Sequence, residues 1–161
     1  MDTKLGGPGS KPLPVIGFGT FGLKGDECRK AVSIALRVGY RLIDTASVYR
    51  NEEEVGIAVR ESRVKRNDIF ITSKISPGEQ GEDLAYEAIQ RSLSKLGLEY
   101  IDLMLIHWPG AKKVPPQSEK NRILRVGSWA ALVRAQAEGL VIHIGVSNFL
   151  PRHLLQLEED F

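Results

Sequence analysis

The chain has 161 residues, enough for one sizeable core, since a domain of ~150 residues buries roughly 70% of its unfolded surface. Its 22 basic and 20 acidic residues leave a net charge of +2. No basic block or aromatic–basic stripe breaks that balance, so nucleic-acid binding has no support. Cys28 is the only cysteine, which excludes an internal disulfide and favours a cytoplasmic location. The Gly- and Pro-rich stretch Met1–Pro14 lacks an apolar run of signal-peptide length, and nothing approaches a transmembrane span. A soluble protein without a membrane partner is expected.

Strand-like and helix-like runs alternate along the chain. Val15–Thr20 reads as the first strand, and a helix follows from near Asp26 to Gly39, a C-cap glycine. Cys28 falls on the apolar side of that helix with Ala31, Val32 and Ala35, so it reads as a core residue rather than a nucleophile. Arg41–Thr45 is the second strand. Its helix follows Asn51, an N-cap residue, with Glu52–Glu54 suited to a positive helix start. The basic cluster Arg60, Arg63, Lys65 and Arg66 reads as a solvated loop.

Ile69–Ser73 is the third strand. The next helix carries Leu84, Ala85, Ala88, Ile89, Leu93 and Leu96 on one face and stops at Gly97. Ile101–Ile106 is the fourth strand. Gly110–Gly127 reads as a long irregular loop over the strand ends, and a loop of that length is usually functional or disordered. A fourth helix from Ser128 or Trp129 to about Glu138 is expected, then a fifth strand, Val141–Val146, and a fifth helix from near Pro151. Short apolar strands alternating with helices indicate parallel α/β architecture with right-handed crossovers. The expected fold is a partial (β/α)8 TIM barrel, one truncated domain over 1–161, because a whole barrel typically needs about 250 residues.

Four polar residues lie at or just past strand C-terminal ends: Asp44 and Tyr49 after the second strand, Lys74 after the third, His107 after the fourth. In a (β/α) barrel such ends face one site. A carbonyl that accepts hydride gains negative charge on oxygen and needs a proton. A phenol can supply it, but an ordinary tyrosine titrates near ~10. A neighbouring ammonium makes a phenol more acidic. Lys74 is the candidate cation, Asp44 its counter-ion, and His107 a hydrogen-bonding group for the carbonyl oxygen. The hydride must come from a cofactor, since no side chain supplies one. No metal is called for. Each residue has a plainer reading: Asp44 as cap or turn former, Tyr49 as surface tyrosine, Lys74 as edge lysine, His107 as structural histidine.

The chain resembles the N-terminal part of the aldo-keto reductase family. The matching stretches are Gly17–Thr20, Gly39–Ala46 with Tyr49 and Asn51-Glu52, Phe70–Lys74, Tyr100–Pro109 and Ile144–Phe149. Five motifs in this order are specific where any one alone is weak. The resemblance implies NADPH-dependent reduction of aldehydes and ketones, with Tyr49 as proton donor, Asp44 and Lys74 as its tuners and His107 as orienter of a small carbonyl substrate. It implies that Ser147 and Asn148 hydrogen-bond the nicotinamide carboxamide. It assigns Gly19 and Thr20 to the cofactor side and Trp108 to the substrate.

Departures accompany the match. Family members usually carry a basic residue within the stretch matching Leu140–His143, which here is largely apolar, and many have histidine at the position of Leu42. His143 has no role from the resemblance and reads as structural. The family's stacking aromatic and its grip on the adenosine 2′-phosphate come from later strands, beyond Phe161. The expectation is therefore a truncated reductase. The alternative is a non-catalytic short form that binds a partner or self-associates through open barrel edges.

Overall fold

The computed structural model describes residues 3–4, by backbone, and 11–161. The reading of Met1–Pro14 falls largely outside them. Thr3–Lys4 (β1) pairs antiparallel with Pro12–Leu13 (β2). The body is a parallel sheet in chain order: β3 (Gly17–Gly19), β4 (Leu42–Asp44), β5 (Phe70–Ile75), β6 (Ile101–Ile106) and β7 (Val141–Val146). Helices α1 (Gly25–Arg37), α2 (Glu52–Glu61), α3 (Glu82–Leu96), α4 (Glu119–Ala137) and α5 (Pro151–Asp160) follow the successive strands. Five β/α units in this order form the expected arc of a (β/α) barrel.

Register fixes which side chains face inward. Asp44 lies level with Gly19 and Thr72, Thr72 with Leu103, and Leu103 with His143. Side chains alternate between sheet faces. The other set, including Ile43, Ile71, Met104 and Ile106, is fully buried in the core shared with the helices. Cys28 belongs to that core, and burial pushes its thiol up to about 11, with the charges of Glu54 and Glu27 adding to the effect. Leu42 lies over Gly17; a Cβ added at Gly17 would come 2.3 Å from Leu42 Cδ2.

Helix ends follow the sequence signals. Gly39 has φ 110 just beyond α1, and Gly97 has φ 61 as the left-handed cap of α3. Four expectations need correction. First, α4 begins at Glu119, not Ser128, so the irregular segment shrinks to 110–118. Ser118 Oγ accepts the Lys120 N–H at 3.3 Å and supplies the missed start signal. Gly127, taken as the loop's end, is a close-packing residue inside the helix: a Cβ there would stand 2.8 Å from Glu82 N at the start of α3. Second, Leu84 is 51% exposed, so the α3 face is narrower than its leucines suggest, and Ser92 is buried in its place. Third, Asn51 is the N-cap residue of α2 as expected, but its side chain makes no capping bond and is fully buried in other contacts. Fourth, Arg66 is not a solvated loop residue. Its guanidinium reaches Asp102 Oδ2 at 2.7 Å and packs 4.1 Å from the Tyr100 ring centroid. Lys11 Nζ holds the other Asp102 oxygen at 2.6 Å, so two cations neutralise one buried acid behind the sheet. Arg60 likewise donates to the Leu96 carbonyl at the end of α3.

Candidate active site

Asp44, Tyr49, Lys74 and His107 converge at the C-terminal ends of β4, β5 and β6. Lys74 Nζ lies 2.6 Å from Asp44 Oδ1 and donates to the Thr45 carbonyl at 2.8 Å. The lysine is nearly buried while Asp44 is about one-third exposed. The same ammonium sits 5.1 Å from the Tyr49 ring centroid. On the other side the His107 ring packs edge-on to Tyr49 at 5.7 Å. The phenol is therefore flanked by an ion-paired cation and an imidazole.

Tyr49 gets its position from a single 3-10 turn, Ser47–Tyr49, closed by Arg50 in the left-handed region at φ 57. Two clamps hold that turn. Thr45 Oγ1 donates to Asn51 Oδ1 at 2.7 Å, and Asn51 Nδ2 donates to the carbonyls of Thr20 and Leu23 at 2.9 and 3.0 Å. Asn51 thus ties the β3 loop to the β4 loop. On the far side, Ser47 Oγ donates to Glu79 Oε2 at 2.6 Å, an oxygen that also accepts from Ser76 N and Ser76 Oγ. Burial acts to raise the Glu79 carboxyl, but the bonds from Ser47, Ser76 and Arg91 outweigh it and hold it below the usual range.

His107 is buried, and its pKa lies below the ordinary histidine value of 6.5 because burial and then the Lys74 charge disfavour the imidazolium, Asp44 opposing in part. A neutral imidazole keeps one donor and one acceptor, and its Nδ1 has no partner among the described residues. His143, read as structural, stacks on Phe70 at 6.2 Å within the arc, away from these groups.

The residues assigned to cofactor and substrate ring the same end. Gly19 is exposed with no atom within 4 Å of where a Cβ would stand. Thr20 is fully buried, its hydroxyl donating to the Asp44 carbonyl at 3.0 Å, so its role in the fold is to brace the acid's backbone. Asn148, at φ 61, donates through Nδ2 to the His107 carbonyl at 2.8 Å and to Ser147 Oγ at 3.0 Å. Trp108 is half exposed beside His107. The sequence reading missed Phe21, 80% exposed and edge-on to Tyr49 at 5.2 Å, as well as Ser47 and Glu79. Phe21 lies just past a strand end, so the positional rule that found the tetrad could have found it. Glu79 lies well along the next loop and gives no such signal. No group of three or more potential metal-ligating side chains occurs among the described residues.

The model of the Aldo/keto reductase family matches residues 15–161. Glyoxal reductase of Bacillus subtilis is 42% identical over 149 residues, covering 92% of this chain and 50% of its own length. An aldo-keto reductase of Mycobacterium marinum is 43% identical over 142 residues, covering 88% and 47%. Among solved structures, an aldo/keto reductase of Brucella melitensis superposes with a TM-score of 0.84 at 41% identity, over 93% of this chain and 55% of its own. A Bombyx mori aldo-keto reductase in complex with NADP superposes with a TM-score of 0.82 at 37% identity, over 94% and 52%. The chain spans about half the length of the curated relatives it matches. With the five-strand arc, the ordered motifs and the family match over 15–161 all in agreement, the chain belongs to the aldo/keto reductase family.

Proposed function

We propose that this chain carries the proton-transfer half of an NADPH-dependent carbonyl reductase, within one barrel-forming domain. The observation that carries the reading is the Lys74 ammonium, paired to Asp44 at 2.6 Å and held 5.1 Å from the Tyr49 ring. When bound, the cofactor supplies hydride to the carbonyl carbon. Tyr49 gives its hydroxyl proton to the carbonyl oxygen, and Lys74 stabilises the phenolate left behind. Asp44 and the Thr45 carbonyl keep Lys74 aimed at the ring. His107, neutral because it is buried beside Lys74, donates a hydrogen bond to the same oxygen without adding charge.

The residues fit a nicotinamide carboxamide. Asn148 spends its amide nitrogen on the His107 and Ser147 oxygens, while its Oδ1 and the Ser147 hydroxyl proton have no partner among the described residues. One acceptor and one donor side by side complement an amide. Gly19 leaves open space at the edge of the same mouth, and Trp108 offers an aromatic wall to a small aldehyde or ketone. The name of the Bacillus subtilis relative makes glyoxal a sensible first substrate. No helix among the described residues is long and apolar enough to cross a membrane, in keeping with a cytoplasmic enzyme.

A second reading rests on the open arc. Val15 and Ile16 beside β3 are 75% and 68% exposed, and Leu154, Leu155 and Phe161 of the α5 region about half or more. Exposed apolar groups next to unpaired strand edges favour self-association. Titration of the 161-residue chain with NADPH by cofactor fluorescence, alongside light scattering and glyoxal-dependent oxidation of NADPH, separates the two. The catalytic reading expects turnover, in the chain alone or joined after Phe161 to the remaining half of the Bacillus subtilis relative. The second expects particles larger than a monomer and no turnover in either form.

A further inference from the structure

We propose that the cleft between the first turns of α4 and α5 is a binding site for a phosphate group, separate from the carbonyl site. The cleft has a volume of about 360 Å³ and is lined by Arg122, Arg125, Arg152 and His153, with Glu119 its one acid. The size suits a small phosphate monoester or the free ion.

Arg125 carries the argument. It is only 6% exposed, yet it pairs with no carboxylate among the described residues. Its two hydrogen-bond partners, the Pro109 carbonyl at 2.9 Å and Gln156 Oε1 at 2.7 Å, are both neutral. A guanidinium has five N–H donors; burial and the Arg122 charge disfavour its charged form, and the charges of Asp160 and Glu119 oppose this only in part. Arg122 differs, since Asp160 holds it at 2.6 Å and Glu159 stands at 3.4 Å.

His153 adds donors that face the cleft without a protein acceptor. Leu150 N–H points at its Nδ1 at 3.1 Å, and Arg152 Nε–H points at its Nε2 at 3.3 Å. A neutral imidazole accepts at one nitrogen only. Whichever nitrogen bears the proton, its own N–H and the N–H that faces it are both left without a protein acceptor, at the exposed rim of the cleft. Burial and the charges of Arg125 and Arg152 both disfavour protonation of this ring. The start of α4, a 19-residue helix, adds its positive end. An oxyanion supplies a direct ionic partner for Arg125 and an acceptor for the facing N–H groups. Arginine's planar fork suits phosphate in particular.

The test uses the 161-residue chain, with ionic strength held constant by chloride. Inorganic phosphate and glycerol phosphate are titrated while calorimetry records heat and proton NMR follows the His153 ring. A saturable response at His153, absent with chloride alone, is expected. Equal affinities identify the ion itself as the ligand; tighter glycerol phosphate identifies a monoester. Arg152→Ala removes an exposed donor and should weaken binding roughly tenfold, the worth of one charge-assisted hydrogen bond. Glu119→Gln removes the lining acid and should tighten binding. A chloride titration that reproduces the response, or affinities that neither variant changes, would overturn the proposal.

Discussion

The Ser47 hydroxyl donates to Glu79 Oε2 at 2.6 Å, joining the turn that carries Tyr49 to the loop that follows the strand of Lys74. Tyr49 and Lys74 are therefore braced against each other by a bond that neither makes itself. The brace depends on a carboxylate that accepts several hydrogen bonds through one oxygen.

Glu79→Ala strips the acceptor from Ser47 and from both donors of Ser76. The expected loss is about 1.5–3 kcal/mol, the range for hydrogen bonds to a charged group. Because the folded Glu79 titrates below its usual range, its stabilisation is present above ordinary carboxylate pH and is lost as pH falls through the folded value. Urea unfolding at pH 7 and pH 4 measures this. The parent should lose more stability on acidification than the variant; equal losses would remove Glu79 from the brace.

His107 produces a second pH dependence. Burial and Lys74 hold its folded pKa below 6.5. As pH falls past the ordinary histidine range, the unfolded chain takes up this proton first, so stability falls with pH. Each unit of depression is worth about 1.4 kcal/mol at the acid limit. His153 is depressed in the same direction and contributes alongside. Comparing parent with His107→Gln between pH 7.5 and 5.5 isolates the His107 share. A variant as acid-sensitive as the parent would show that His107 charges freely in the fold.

Gly127→Ala tests the close contact of α4 with α3. In an open helix this change gains up to about 1 kcal/mol from helix propensity. Here the new Cβ would stand 2.8 Å from Glu82 N and 3.4 Å from Gly81 C and Cα. The sign should reverse, with a loss of roughly 1–3 kcal/mol from overpacking. Thermal unfolding reads the outcome, and a stabilised variant would mean that the helices move apart at little cost.

The same glycine shows where the sequence could and could not be read. The sheet strands were legible because parallel strands are short apolar runs, although β3 and β7, at the edges of the arc, are only partly buried, and β6 and β7 fell on their expected residues. Gly39 and Gly97 stopped helices as local chemistry says they should. Gly127 looked like the same punctuation, but it serves tertiary packing, which local chemistry does not encode. Asn51 and Arg66 show a related limit, in their side-chain partners. Their residue types announce a cap and a solvated charge, and their partners, Thr45 and Asp102, lie on other elements. The convergence of Asp44, Tyr49, Lys74 and His107 was legible because strand C-terminal ends meet on one side of this architecture. The bracing residues Ser47 and Glu79 were not, since they act through contacts between loops.

The central claim is that Tyr49 gives the proton and Lys74 stabilises the phenolate. It is tested most directly by carbonyl reduction in a catalytically competent form of the chain, comparing parent, Tyr49→Phe and Lys74→Met across pH. General acid catalysis is worth roughly 10²–10⁴-fold in rate. Tyr49→Phe should lose at least that much while binding NADPH nearly as the parent does. Lys74→Met should slow turnover and change the shape of the pH–rate profile. Turnover retained by Tyr49→Phe, or a Lys74→Met profile matching the parent's, would contradict the account.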